Sequence, residues 1–165
     1  MTDSALVTEI AKAIPVLVGG LLAVAGGVGS QFLVHSLTDR RERFKLRRER
    51  IEALVKAVYD HGRWIEEKQT KMVFRNEDHD PPNPLDVARM LQALHFPELQ
   101  QELLAIQQTH LPLLQFINKQ RVEHMKSKEA FIAQWDSAPF NEGYKRYLAA
   151  VNALVQRART LIDAQ

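Results

Sequence analysis

The chain has 165 residues, of which 45% are hydrophobic and 25% are charged, and it contains no cysteine. This length fits one domain of ordinary size, or a smaller domain with an anchor or tail, and the composition argues against a disordered chain. The missing cysteine excludes a disulfide framework, a thiolate nucleophile and any cysteine-based metal centre. The 22 basic and 20 acidic residues nearly balance, so the placement of the charges matters more than their sum.

The first distinctive segment is a run of 26 residues, 13–38, without Asp, Glu, Lys or Arg. As a helix it would be about 39 Å long, enough to cross a bilayer core of about 30 Å. Its many glycines are tolerated there, because in lipid the backbone must satisfy its own hydrogen bonds. Residues 14–34 are therefore predicted to form a transmembrane helix. A cleaved signal peptide and a buried helix of a soluble protein are the alternatives.

Basic residues follow the predicted span. Residues 39–50 hold seven Arg or Lys against three acids, a net charge of +4, whereas residues 1–12 carry a net charge of −1. The positive-inside rule predicts a single-span protein of the bacterial inner membrane whose C-terminal part is cytoplasmic. Nucleic-acid binding is the alternative interpretation of this stretch. Six of its cations are expected to contact anionic lipid headgroups: Arg40, Arg41, Arg43, Lys45, Arg47 and Arg48.

Small residues recur on one face of the predicted span. A stripe of small side chains lets a second membrane helix approach closely, which is how such helices associate in lipid. A single span has no other helix of its own to pack against, so this face predicts a homo-oligomer. The alternative is a glycine-rich span without a partner. The residues of this face are Gly19, Ala23, Gly26, Gly27 and Ser30.

The remaining sequence predicts only helices, because apolar residues recur at helical spacing and no stretch alternates apolar and polar residues. The predicted fold class is all-α, one N-terminal transmembrane helix continuing into a cytosolic helical bundle. Four segments follow: an N-terminal segment and span (1–38), a basic juxtamembrane helix (39–74), a loop (75–84) and the other bundle helices (85–165). Asn83 is predicted to cap a helix that begins at Pro84, and Pro97 to open the next one.

The helix 40–54, with the sequence RRERFKLRRERIEAL, and the later break HFPEL at residues 95–99 carry a resemblance. They resemble small bacterial single-span proteins with helical cytosolic domains. A few proteins of this plan are antiviral effectors that respond to cyclic oligonucleotides made during a CRISPR response. The resemblance implies a membrane effector switched by a nucleotide signal, and it carries no catalytic residues.

Enzyme motifs are missing: the chain has no P-loop, HExxH motif, nucleophile elbow or dinucleotide-binding unit. We therefore expect a protein that is not an enzyme and needs no cofactor. The sequence Glu-Asp-His-Asp at residues 77–80 offers metal ligands, but its proline-rich setting favours a solvated turn and no metal. Asp60 and His61 are expected to be exposed on the polar side of a helix. Three further histidines lack paired carboxylates at ligand spacing: His95, His110 and His124.

The most suggestive polar segment is 118–128, with four fixed cations against one acid. Cations beside aromatic rings suit a ligand with phosphates and bases, because the cations bind the phosphates and the rings stack on the bases. Trp135, Tyr144 and Tyr147 are the nearby aromatic residues. The alternative is a solvated helix end, with Trp135 and Tyr147 in the core. The candidate ligand-binding residues are Lys119, Arg121, His124, Lys126, Lys128, Lys145 and Arg146.

Two functions follow from these patterns. The first is an oligomeric membrane effector whose cytosolic helices bind an anionic cyclic oligonucleotide and alter the membrane by repacking the spans. The second is a passive membrane-anchored scaffold whose cytosolic helices dock another protein. The expected partners are the lipid bilayer, further copies of the chain and either the nucleotide or a cytosolic protein.

Overall fold

The computed structural model describes residues 35, 38, 40–78 and 80–163. The chain divides into two units, Met1–Lys45 and Leu46–Gln165. The predicted span 14–34, with its face of small residues (Gly19, Ala23, Gly26, Gly27 and Ser30), lies outside the described residues and stays a prediction. Within the described part of the chain, no helix is long and apolar enough to cross a membrane.

The second unit consists of helices joined by short connections. Helix α1 covers residues 46–68 and continues into a π-helical turn, Gln69–Phe74. The later helices are α2 (Pro84–His95), a 3-10 turn (Pro97–Leu99), α3 (Gln100–Lys126), α4 (Lys128–Gln134) and α5 (Ala138–Asp163). In the first unit, residues 40–45 are helical too. No described residue is in a strand, and the predicted all-α class is confirmed.

Local side-chain chemistry sets several helix boundaries. The Asn83 side chain accepts a hydrogen bond from the Leu85 amide (3.0 Å) and Pro84 is the first residue of α2, which confirms the predicted start. Pro97 opens the 3-10 turn before α3 rather than α3 itself. The Ser127 hydroxyl caps α4 by accepting from the Ala130 amide at 3.2 Å.

Three long helices supply most of the core. Helices α1 and α3 run parallel, because Arg47 contacts Glu98 (2.9 Å) at one end and His124 Nδ1 lies 2.5 Å from the Val73 carbonyl oxygen at the other. Helix α5 runs antiparallel to both. Each helix buries one apolar stripe at helical spacing. Among the fully buried side chains are Ile51, Leu54, Val58, Ile65, Ile106, Leu113, Ile117, Tyr147, Val151 and Leu154.

The connection between α1 and α2 is fastened to the bundle by polar contacts. The Trp64 indole donates to the Pro81 carbonyl at 3.2 Å, and the Lys68 ammonium pairs with Asp80 at 3.2 Å. Asp78 pairs with Arg121 of α3 at 3.0 Å. These contacts hold the connection against the end of the bundle where α3 finishes.

Candidate functional site

A surface groove lies between α1 and α5 and has a volume of about 710 Å³. It forms because α1 carries apolar side chains just beside its buried stripe, and no other described helix covers them. Tyr59 is 49% exposed there, and Val55 and Val155 are half-buried. The apolar lining consists of Ile51, Val55, Tyr59, Val155, Ala158 and Ile162.

Charged side chains form the rim of the groove: Glu52, Lys56, Asp60, Arg63 and Arg159. Asp60 pairs with Lys56 (2.6 Å) and with Arg63. The hydrogen bond from Lys56 has the larger effect and that from Arg63 the smaller, and together they hold the pKa of Asp60 below its usual value. Glu52 pairs with Arg48 at 2.9 Å, one turn away on α1.

Arg159 forms no ion pair with any residue that the structure describes. With Glu52 neutralised by Arg48 and one acid shared by Lys56 and Arg63, the rim has an excess of positive charge. An open apolar groove between two helices, with charges along its edges, has the geometry that receives one face of an amphipathic helix.

A buried polar cluster lies deeper between α1, α3 and α5. His61 of α1 is fully buried, and its Nδ1 lies 2.9 Å from the Tyr147 hydroxyl. That hydroxyl donates its single proton to the Val58 carbonyl at 3.1 Å. Because the proton is used there, His61 Nδ1 must carry a hydrogen and donate to the Tyr147 oxygen. His61 Nε2 is then an unprotonated ring nitrogen.

His110 of α3 completes this cluster. Its ring meets the His61 ring edge-to-face, with centroids 4.6 Å apart. The Nε2 atoms of both rings are buried without a hydrogen-bond partner among the described residues. The pKa of His61 is lowered to about 3, mainly by burial and to a smaller extent by the charge of His110. The pKa of His110 is also lowered, mainly by burial and to a smaller extent by the charge of Lys68. Both rings are therefore neutral near pH 7.

The expected exposure of His61 is wrong. The position continues the buried stripe of α1, spaced between Val58 and Ile65, so the ring points into the core. His110 occupies the equivalent place in α3, between Ile106 and Leu113. The signal was present in the sequence: in each helix a histidine fills one position of an otherwise apolar stripe. Asp60, beside His61, is half-buried at the groove rim.

Several candidate ligand-binding residues are engaged within the protein. Arg121 pairs with Asp78 at 3.0 Å, and Lys126 with Glu123 at 2.9 Å. The His124 ring stacks on Phe131 with centroids 4.8 Å apart. Lys119 and Lys128 are exposed, and neither forms an ion pair within the described part of the chain.

The structure separates Lys145 and Arg146 from the other candidate cations. Gly143 of α5 faces Leu113 of α3, and the two helices are antiparallel. Lys145 therefore lies on the far side of this contact from Lys119, about 12 Å away along the helix axes. Lys126 is about 22 Å away by the same measure.

The aromatic residues near these cations lie against other rings. Trp135 is half-buried among Phe74, Phe116 and Phe131, with the Phe74 centroid 4.9 Å away. Tyr147 is fully buried. Tyr147 is therefore in the core, as the alternative predicted, whereas Trp135 is partly buried and packs against the core.

The residues predicted to contact lipid headgroups have different surroundings. Arg40, Arg41, Arg43 and Lys45 are exposed helical residues of the first unit, and Arg48 is exposed in the second. Arg47 is half-buried, pairs with Glu98 and lies 5.9 Å from the centroid of the Phe96 ring.

The acidic loop offers no assembled metal site among the residues described, where no three potential ligands come together. Asp78 and Asp80 turn toward Arg121 and Lys68 instead. His79 lies outside the described residues. No family model matches this chain, and no curated protein or solved structure matches it either.

Proposed function

We propose that this chain is a non-enzymatic, membrane-anchored interaction module. Its predicted span, residues 14–34, tethers it to the bacterial inner membrane, and the α1/α5 groove docks an amphipathic helix of a cytosolic protein. This is the scaffold function expected from the sequence. The observation that carries it is the open apolar groove with a charged rim, while most candidate nucleotide-binding cations are paired or far apart.

The groove has the properties of a helix-docking site. Its apolar lining on α1 repeats at 51, 55 and 59, and α5 supplies the opposite wall at 155, 158 and 162. An amphipathic helix laid between these walls buries its apolar side chains in a three-helix contact. The hydrophobic effect then drives docking at roughly 25 cal/mol for each Å² of apolar surface removed from water.

Docking is tested with a 15-residue helical peptide whose leucines repeat at i, i+3, i+4 and i+7 and whose flanking positions are glutamine. The full chain is placed in phosphatidylcholine nanodiscs, and binding is followed by fluorescence anisotropy against empty nanodiscs. Val155→Trp, which fills the groove, should weaken binding at least about tenfold by steric exclusion. Ala153→Trp, at an exposed position of the same helix outside the groove, should leave it unchanged. No saturable binding, or equal loss in both variants, would contradict docking.

The anchor is tested separately. The full chain should stay in the membrane pellet after carbonate washing, and a chain lacking residues 1–34 should move to the supernatant. A reporter at Gln165 should be active only on the cytoplasmic side. A full chain that washes off, or a reporter exposed outside, would contradict the anchor without touching the groove.

A nucleotide-switched effector is the second candidate function. It is favoured by Lys119 and Lys128, two exposed cations without ion pairs in the described part of the chain, beside the end of α3. Cyclic oligoadenylates should then raise the melting temperature of the full chain, and Lys119→Glu with Lys128→Glu should abolish the rise. The matched control is Arg89→Glu with Arg157→Glu, two exposed cations outside the candidate ligand-binding set. No shift with any cyclic oligoadenylate would reject this candidate.

A further inference from the structure

The α1/α5 groove also specifies the charge of its partner. We infer that the docked helix carries acidic side chains beside its apolar face, placed to pair with Arg159 on α5 and with Lys56 and Arg63 on α1. This inference rests on the proposed docking function and adds the chemistry of the partner.

Arg159 is the first reason. It lines the groove between Val155 and Ile162, one turn from each, on the same wall. It is exposed and forms no ion pair with any residue the structure describes. A carboxylate on the docked helix would gain a charge-assisted hydrogen bond there without displacing an existing partner.

On the opposite wall, α1, two cations remain open to a further carboxylate. Lys56 and Arg63 share one acid, Asp60, and their side chains remain 74% and 72% exposed. A second carboxylate can therefore approach either of them from the groove. Glu52 does not offset this excess, because Arg48 already neutralises it. A partner with basic flanks would meet the unpaired Arg159 on one wall and, on the other, two cations that share a single acid.

The same charges argue against a second copy of the chain as the occupant. A two-fold symmetric contact would bring together two identical rims, each with three cations and two acids, so the two rims would carry like net charge. An acidic helix from another protein would bring negative charge to a rim whose net charge is positive. The lined part of α1 runs from Ile51 to Arg63, about 18 Å. A docked helix of at least about 12 residues would match that length.

The test uses three peptides with the same leucine spacing and with glutamate, glutamine or lysine at the flanking positions. Binding to the full chain in phosphatidylcholine nanodiscs is measured by fluorescence anisotropy at low and high salt. We expect the glutamate peptide to bind about fivefold or more tightly than the glutamine peptide, and the lysine peptide to bind most weakly. The difference should shrink in 0.5 M NaCl, because salt screens exposed charges.

Variants locate the charge effect. Arg159→Glu should reduce the preference for the glutamate peptide and strengthen binding of the lysine peptide. Arg157→Glu is the matched control, because it makes the same charge change at an exposed position of α5 outside the groove, and it should keep the wild-type order. Arg159→Gln gives a second measure without reversing the charge.

The outcomes separate this inference from the proposed function. Equal binding of all three peptides, or the same change with Arg157→Glu and Arg159→Glu, overturns the acidic partner while docking stands. Failure of every peptide to bind overturns docking itself. Because the chain has no cysteine, Arg159→Cys provides a single thiol. Efficient disulfide formation between two copies at this position would assign the groove to a second copy and also overturn the inference.

Discussion

Helices α1 and α5 contact each other in two different ways along one shared surface. Around His61 and Tyr147 they close completely, and the polar atoms between them are arranged in a short chain of hydrogen bonds. Beside Val55 and Val155 they leave an apolar groove open to solvent. The two regions differ in whether a third helix covers them, because α3 contributes His110 to the first and nothing to the second. The same helix pair thus provides a buried layer and an open surface groove.

Neighbouring positions of α1 offer the sharpest test of this difference. Leu54 is fully buried, whereas Val55 is half-buried at the groove. Leu54→Ala should cost about 2–5 kcal/mol of unfolding free energy, because it leaves a cavity in the core. Val55→Ala should cost about 1 kcal/mol or less. Urea unfolding of the full chain in mild detergent, followed by circular dichroism, measures both. Equal losses would mean that the groove is covered in the folded protein.

How far the sequence predicts this arrangement depends on the position. Apolar spacing identifies the helices and most of the core, because burial of one stripe is what stabilises a helix in a bundle. It also places Asn83 and Pro84 at the start of α2, since capping is local chemistry. The spacing does not distinguish Leu54 from Val55, because which apolar side chain is covered depends on helices distant in sequence.

Acid should weaken the closed region more than the groove. The pKa of His61 is lowered to about 3 in the folded protein, from 6.5 for an exposed histidine. Unfolded chains therefore take up protons first, and stability present above pH 6.5 is lost as the pH falls from 6.5 towards 3. At pH 4 the loss from this residue should be about 3 kcal/mol.

The control for the acid effect is His61→Gln, which cannot take up the proton. Its unfolding free energy should fall less steeply between pH 6.5 and pH 4 than that of the unchanged chain. Parallel pH profiles for the two proteins would show that His61 is not held neutral by burial. The carboxylates, including Asp60, contribute equally to both profiles.

Removing one hydroxyl oxygen from a tyrosine in each region compares the buried cluster with the groove. Tyr147→Phe should cost about 1–3 kcal/mol, because the buried Nδ1–H of His61 loses its acceptor. Tyr59→Phe, at the exposed edge of the groove, should change stability by less than about 0.5 kcal/mol. Urea midpoints for the two variants provide the comparison. A neutral Tyr147→Phe would mean that His61 adopts the other tautomer, which does not need this acceptor.

Two glycines should respond oppositely to the addition of one methyl group. A Cβ at Gly62 would lie 3.4 Å from the Tyr144 hydroxyl, an ordinary contact, so Gly62→Ala should gain about 0.5–1 kcal/mol from helix propensity. A Cβ at Gly143 would lie 2.9 Å from Leu113, which is buried and must shift. Gly143→Ala should therefore gain nothing or lose stability. Thermal melting distinguishes the two, and destabilisation by Gly62→Ala would show a tighter contact with α5.

The candidate site was harder to predict than the fold. The basic residues of segment 118–128 were conspicuous in the sequence because four cations cluster within eleven positions. Their partners were not, since Asp78, which pairs with Arg121, comes from a loop more than forty residues earlier. Val55, Tyr59 and Val155 carry no sequence signal of a groove, because they belong to ordinary amphipathic helices. A surface formed by two distant helices has no local sequence signal.

The hydrogen-bond chain at Tyr147 also fixes the register of the bundle. If α5 slid along α1 by one helical turn, about 5.4 Å, the apolar side chains would still find apolar neighbours. The tyrosine hydroxyl and the His61 ring would then be buried without each other, at a cost of about 1–3 kcal/mol for each unpaired group. A directional hydrogen bond between two polar groups therefore selects one helix register among several that apolar packing alone would allow. The two walls of the groove stay opposite each other for the same reason.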